Sequence, residues 1–193
     1  MFTEDYLMRI INQTLAVLLY AVGLRKAGKY SEALQSIEHA IQELTGLSAN
    51  LIDQMEDASI LSMLTTSGQL DIGRLAILGD LYQEEGAILF KLDQPVPGIF
   101  AYARALRFIL EGTLTDDSPL SPESMVKIDT LVQKLNQNHL ALDTQLALTD
   151  YYRRLLDQDD QTLAAGATSR KHIEQALTRL QDEIDSSMKS NGG

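Results

Sequence analysis

The chain has no cysteine in its 193 residues, which excludes disulfides and thiolate metal sites. Basic residues are scarce. Sixteen Lys and Arg stand against 27 Asp and Glu, a net charge of -11. That balance opposes binding to nucleic acid, whose affinity comes from neutralised phosphates, and to an anionic membrane surface. Long apolar runs are missing. The longest, Leu15 to Leu24, is about half of the ~20 residues that a membrane span needs. The opening Met1-Phe2-Thr3-Glu4-Asp5 is acidic where a secretory leader is basic, so a cytoplasmic protein is expected. His39, His139 and His172 lie far apart, none with a second ligand at metal spacing. There is no Gly-rich phosphate loop, nucleophile elbow or Cys–His pair. No catalytic residue, metal ligand or cofactor is expected.

No segment alternates with period two, and helix signals fill the chain. The expected class is all-α, with about eight helices. Thr3 is placed to cap a first helix that stops at Gly28. Ser31 opens a second, to Leu44, with Ile37, Ala40, Ile41 and Leu44 as its apolar stripe and Gly46 as its stop. Asn50 to Met55 and Ala58 to Leu64 read as two short helices within the irregular stretch 47–68. Asp71 opens a long helix to Leu92 that carries Gly73, Gly79 and Gly86. A mid-helix glycine costs about 1 kcal/mol against alanine, so its presence marks a neighbouring helix on the backbone. Pro97 suits a first helical position, and that helix stops at Gly112. Thr113 to Leu120 is a loop. Ser121-Pro122-Glu123 starts a helix ending near Asn136. Further helices span roughly Leu140 to Leu156 and Thr168 to Ser187, with the charged break Asp157 to Gln161 between them and a loose tail from Lys189.

Gly28-Lys29-Tyr30-Ser31-Glu32-Ala33-Leu34, followed by Ile37 and Ala40, resembles the second half of a tetratricopeptide (TPR) repeat, with Ala21 as the small residue of its first helix. Tyr82, Gly86, Gly98, Tyr102 and Ala105 fit the template a second time. Ala21 to Ala33 and Gly86 to Gly98 share a spacing of twelve residues. Ala40 to Ala105 is 65 residues, against about 34 for tandem TPRs. A third, weaker match has Tyr151-Tyr152 in its first helix and Ser169, Ile173 and Ala176 in its second. The resemblance implies one TPR-like, right-handed array of antiparallel helix pairs over 1–193. Its parts are 1–46, a degenerate unit or inserted hairpin at 47–79, 80–112, and C-terminal helices at 121–188. Met1 to Ile10, together with Arg25 to Tyr30, also resembles a bacterial family of TPR-like proteins with no assigned function, chiefly over residues 1–110. That resemblance implies a fold and no activity.

By register with the repeat, the resemblance implies an inner groove lined by Leu18, Val22, Arg25, Lys26, Gln83, Ala87, Phe90 and Lys91, apolar with a basic rim. Co-chaperone TPRs clamp a C-terminal carboxylate with Lys and Asn where this chain has Leu18 and Val22, so that ligand is not implied. The competing reading makes Leu18, Val22 and Phe90 core, covered by later helices. Glu84-Glu85 and Asp53 to Asp57 read as helix surface or helix ends. Asp116-Asp117 and Asp157, Asp159 and Asp160 lack the calcium-loop pattern. Tyr151-Tyr152-Arg153-Arg154 reads as one buried and one amphipathic tyrosine with two solvated arginines. Leu15 to Leu24 is apolar on all sides and requires cover on all sides, from the stripe Ile173, Leu177, Leu180 and Ile184 or from a second chain. The expected function is a non-catalytic scaffold or adaptor, monomeric or homodimeric, that binds another protein or peptide. A small TPR-type chaperone for a client protein, or an enzyme on a helical fold, are the alternatives.

Overall fold

The computed structural model describes residues 2–116, 119–135 and 140–190, with the backbone alone at 2–7, 188 and 190. Asp117, Ser118, the helix end expected at Asn136, His139 and the tail residues 191–193 lie outside the described residues. The fold is all-α. Ten helices are present among the described residues: α1 (Phe2–Lys26), α2 (Tyr30–Thr45), α3 (Ala49–Asp53), α4 (Asp57–Met63), α5 (Ile72–Lys91), α6 (Pro95–Thr115), α7 (Pro122–Lys134), α8 (Leu142–Leu156), α9 (Asp160–Ala165) and α10 (Arg170–Ser190). The one helix that answers to no expected segment is α9. α9 occupies part of the charged break, where the Asp159 carboxylate accepts from Thr162 N at 2.8 Å and caps a single turn.

Strand was not expected, yet β1 (Thr65–Thr66) and β2 (Gln69–Leu70) pair antiparallel. Ser67 and Gly68 between them have φ of 53° and 79°, the two positive values that a two-residue primed turn needs. Helix ends follow local chemistry. Gly28 and Gly46 take left-handed φ after α1 and α2, and Asp71 and Ser121 accept the backbone N–H groups of Arg74 and Ser124. Several expected boundaries shift: Ser31 is the second residue of α2, and α10 continues through Lys189 to Ser190 where a loose tail was expected. Thr3 lies inside α1, Pro97 is the third residue of α6, and Gly112 sits buried within α6 instead of ending it.

The chain divides into two compact units, residues 1–108 and 109–193. In the first, α1 and α2 pack as a helical hairpin and both lie against α5. Ala21, Ala33, Ile37 and Ala40 are completely buried, so the small residues sit where two helices approach and the isoleucine fills the gap. In the second unit α10 packs on α8, burying Ile173, Ala176, Leu180 and Ile184. α9 meets α7, and a Cβ on Gly166 would fall 2.5 Å from Met125 Sδ. The C-terminal stripe thus finds its docking face on α8. The expected cover of Leu15 to Leu24 is only partial: Ala21 and Leu24 are buried, while Leu19 is 72% and Tyr20 60% exposed.

Candidate functional site

Two glycines bring α5 and α6 into contact. A Cβ on Gly86 would lie 2.7 Å from the Tyr102 ring, and one on Gly98 would lie 2.8 Å from the Phe90 ring. Each glycine therefore receives an aromatic ring from the facing helix, and Phe90 and Tyr102 stack with centroids 5.5 Å apart. This close seam carries Arg104 of α6 inward, where it is 5% exposed. Its Nε donates to Asp57 Oδ1 at 2.8 Å, its Nη2 to Met55 O at 2.8 Å and its Nη1 to Ile52 O at 3.2 Å. Nη1 also reaches the Tyr82 hydroxyl at 3.3 Å and Asp53 Oδ1 at 3.5 Å. The guanidinium, with five donors in a fixed fork, holds the end of α3 and the start of α4.

Beside it lies a pocket of about 210 Å³ whose walls include Asp53, Tyr82, Glu85, Leu89, Phe100 and Arg104. Glu85 Oε2 is buried without a hydrogen-bond partner. Burial, reinforced by Asp53 and Glu38 and opposed by Arg104, pushes the Glu85 carboxyl up to about 8. Asp53 is raised by burial against the pull of Arg104 and the Tyr82 hydroxyl. Burial also raises the Tyr82 phenol.

Glu85 makes a stability prediction with a definite sign. Its folded value lies above the ordinary 4.5, so the folded chain keeps a proton that the unfolded chain gives up. That contribution is fully present below about pH 4.5 and is lost as pH rises to about 8. Urea titrations are expected to show Glu85→Gln more stable than the wild type at pH 8, with the gap closing at pH 4.5. A gap independent of pH would remove Glu85 as the titrating group.

The eight residues expected to line a groove are distributed as follows. Leu18, Val22, Gln83 and Ala87 are half-buried, Lys26 and Lys91 are exposed, and Phe90 is exposed while stacking on Tyr102. Gln83 Oε1 is buried without a partner. Arg25 is held. Its Nε and Nη2 donate to the two carboxylate oxygens of Glu84 at 2.5 and 3.2 Å, and Glu84 is 8% exposed. Glu84 is therefore a buried ion-pair partner between α1 and α5 and not helix surface. Asp53 and Asp57 do lie at helix ends, where Arg104 gathers them. Tyr151 and Tyr152 are both buried, Arg153 pairs with Asp150, and Arg154 donates to Thr113 O at 2.6 Å, so only Arg153 matches the expected solvated arginine. No group of three His, Cys, Asp or Glu among the described residues is placed to hold a metal. No helix among them is long and apolar enough to cross a membrane.

Arg104 escaped the sequence reading, although one signal was there. It falls three residues after Ala101 and four before Phe108, on the apolar face of α6, where a charge requires a buried partner. Compared with family models, curated proteins and solved structures, the chain matches none of them.

Proposed function

We propose that this chain is a non-catalytic, TPR-like scaffold or adaptor that binds another protein through the free face of α1. The observation that carries this reading is the stripe of exposed apolar side chains there: Met8 at 55%, Leu15 at 38% and Leu19 at 72%, with Tyr20 at 60% beside them. Residues 8, 15 and 19 recur on one face of a 3.6-residue helix. Leu15, Leu19 and Tyr20 are within about one turn of each other, and exposed apolar side chains grouped in this way mark a contact site. The repeat reading is supported by the small residues at Ala21, Ala33, Gly86 and Gly98, which are buried where the template wants them. The setting we propose is the cytoplasm of a bacterium, in keeping with the acidic composition and the resemblance over residues 1–110.

The test uses the immobilised full-length chain and lysate of its host. Leu15→Lys with Leu19→Lys is expected to abolish capture of the proteins retained by the wild type. Stability is expected to stay within about 0.5 kcal/mol per site, as at other exposed positions. Equal capture by both forms would remove the α1 face from the function.

A further inference from the structure

We propose that the α1 face holds a second copy of this chain, docked antiparallel across a two-fold axis near Leu15 and Ala16, an assignment that rests on the scaffold reading and names its partner. Each copy carries a net charge of -11, so two copies repel over most of their surface. The α1 face is where that repulsion is absent. Residues 10–24 contain no charged side chain, and Asn12, Leu15, Ala16, Leu19 and Gly23 among them are exposed. The two ends of the helix differ in sign. α1 opens with Glu4 and Asp5 and closes with Arg25 and Lys26.

Positions 5, 8, 12, 15, 19, 22 and 26 step along α1 at intervals of three and four, which makes them one row on one side of the helix. Asp5 and Lys26 stand at its ends, and Arg9 falls to one side of it. Two such rows laid parallel would set acid against acid and base against base. Laid antiparallel about the midpoint between Leu15 and Ala16, they set Asp5 of each copy opposite Lys26 of the other and Met8 opposite Gly23. The helix dipoles then also oppose favourably. Gly23 is an independent observation. A glycine inside a helix destabilises it relative to alanine. Gly86 and Gly98 are occupied by rings from the facing helix, 2.7 and 2.8 Å from a Cβ, whereas a Cβ on Gly23 would meet nothing within 4 Å. A second α1 supplies the missing neighbour, and Met8, 55% exposed, has the flexibility to fill the space. One face of one helix presents fewer than the ~20–30 residues a side of a standard interface, so the association is expected to depend on concentration.

The test is light scattering on the full-length chain between about 1 μM and about 1 mM, where a small interface associates and dissociates. The mass is expected to rise from 21.4 kDa toward twice that value. Leu15→Lys with Leu19→Lys is expected to hold the chain at the monomer mass throughout. Gly23→Leu is expected to weaken association at least about tenfold, the effect of overpacking a helix seam. Its thermal midpoint at about 1 μM, where the copies are apart, is expected to equal or exceed that of the wild type, because the helix has lost a glycine. The absence of cysteine lets single thiols report the geometry. Ala16→Cys, beside the axis, is expected to form a disulfide with its own copy. Lys26→Cys is expected to link only when mixed with Asp5→Cys. A monomer mass up to about 1 mM, an unchanged association of Gly23→Leu, or Lys26→Cys linking to itself as a parallel pair would, overturns the proposal. A chain that stays monomeric while Leu15→Lys with Leu19→Lys still abolishes lysate capture assigns the face to a different protein, so the second copy fails and the scaffold reading stands. A dimer that this double variant breaks, with lysate capture unchanged, keeps the second copy on α1 and removes the scaffold reading.

Discussion

Arg104→Met is expected to destabilise the first unit by about 1.5–3 kcal/mol, the scale of hydrogen bonds to a charged group, because the Asp57 side chain is 32% exposed and water can take over part of its solvation. Methionine fills much of the volume but leaves the Asp57 carboxylate and the carbonyls of Ile52 and Met55 without their donor. α3 has five residues and α4 seven, too short for either to stand as an isolated helix. Their remaining anchors include Ile52 and Ile60, both completely buried, and the Tyr82 hydroxyl, which donates to Asp53 Oδ1 at 3.4 Å. Arg104→Lys should restore only part of the loss, because a lysine ammonium cannot fork to three sites in one plane. Urea unfolding with fixed m-value is the measurement. A wild-type midpoint for Arg104→Met would mean that these anchors suffice and that the guanidinium is an ornament on them.

The α5–α6 seam should be intolerant in an asymmetric way. Gly86→Leu is expected to cost about 3 kcal/mol, the upper end of ordinary overpacking, and Gly98→Leu about 1 kcal/mol. The difference lies in what each new side chain would strike. At Gly86 the obstacles are Tyr102, 4% exposed, and the backbone carbonyl of Gly98 at 3.0 Å. At Gly98 the obstacle is Phe90, 42% exposed and able to swing outward, while the facing carbonyl is 3.4 Å away. Thermal melts of the two variants decide it. Equal losses would show that Phe90 is as fixed as Tyr102, and no loss at Gly86 would mean that the helices part easily.

Local signals carried most of the helical layout. Ser121 with Pro122, Asp71, Gly28 and Gly46 each act within four residues of themselves, and the structure uses all four at helix ends. Buried positions at helical spacing were equally legible, as Ala33, Ile37 and Ala40 show. The site was not. Arg104 joins residues 47 to 52 positions away, and Arg25 meets Glu84 across 59. Such pairings depend on which helices become neighbours, and periodicity in one helix carries no information about that. Glu84 and Glu85 were hardest for this reason. Adjacent residues on a helix point about 100° apart, so one entered an ion pair and the other a pocket wall, although both look like solvated charge. The hairpin was missed because two residues per strand are too few for an alternation to register.

That hairpin has a bearing on how the chain can be altered. Residues 65–69 are all exposed, and Ser67 holds a backbone conformation that serine adopts only reluctantly. Exposed loop tips with small polar residues tolerate added sequence well, and lengthening such a loop costs little closure entropy. The Ser67–Gly68 tip is thus the natural insertion point in the first unit, where a reporter or affinity handle can be carried while both flanking helices keep their own caps.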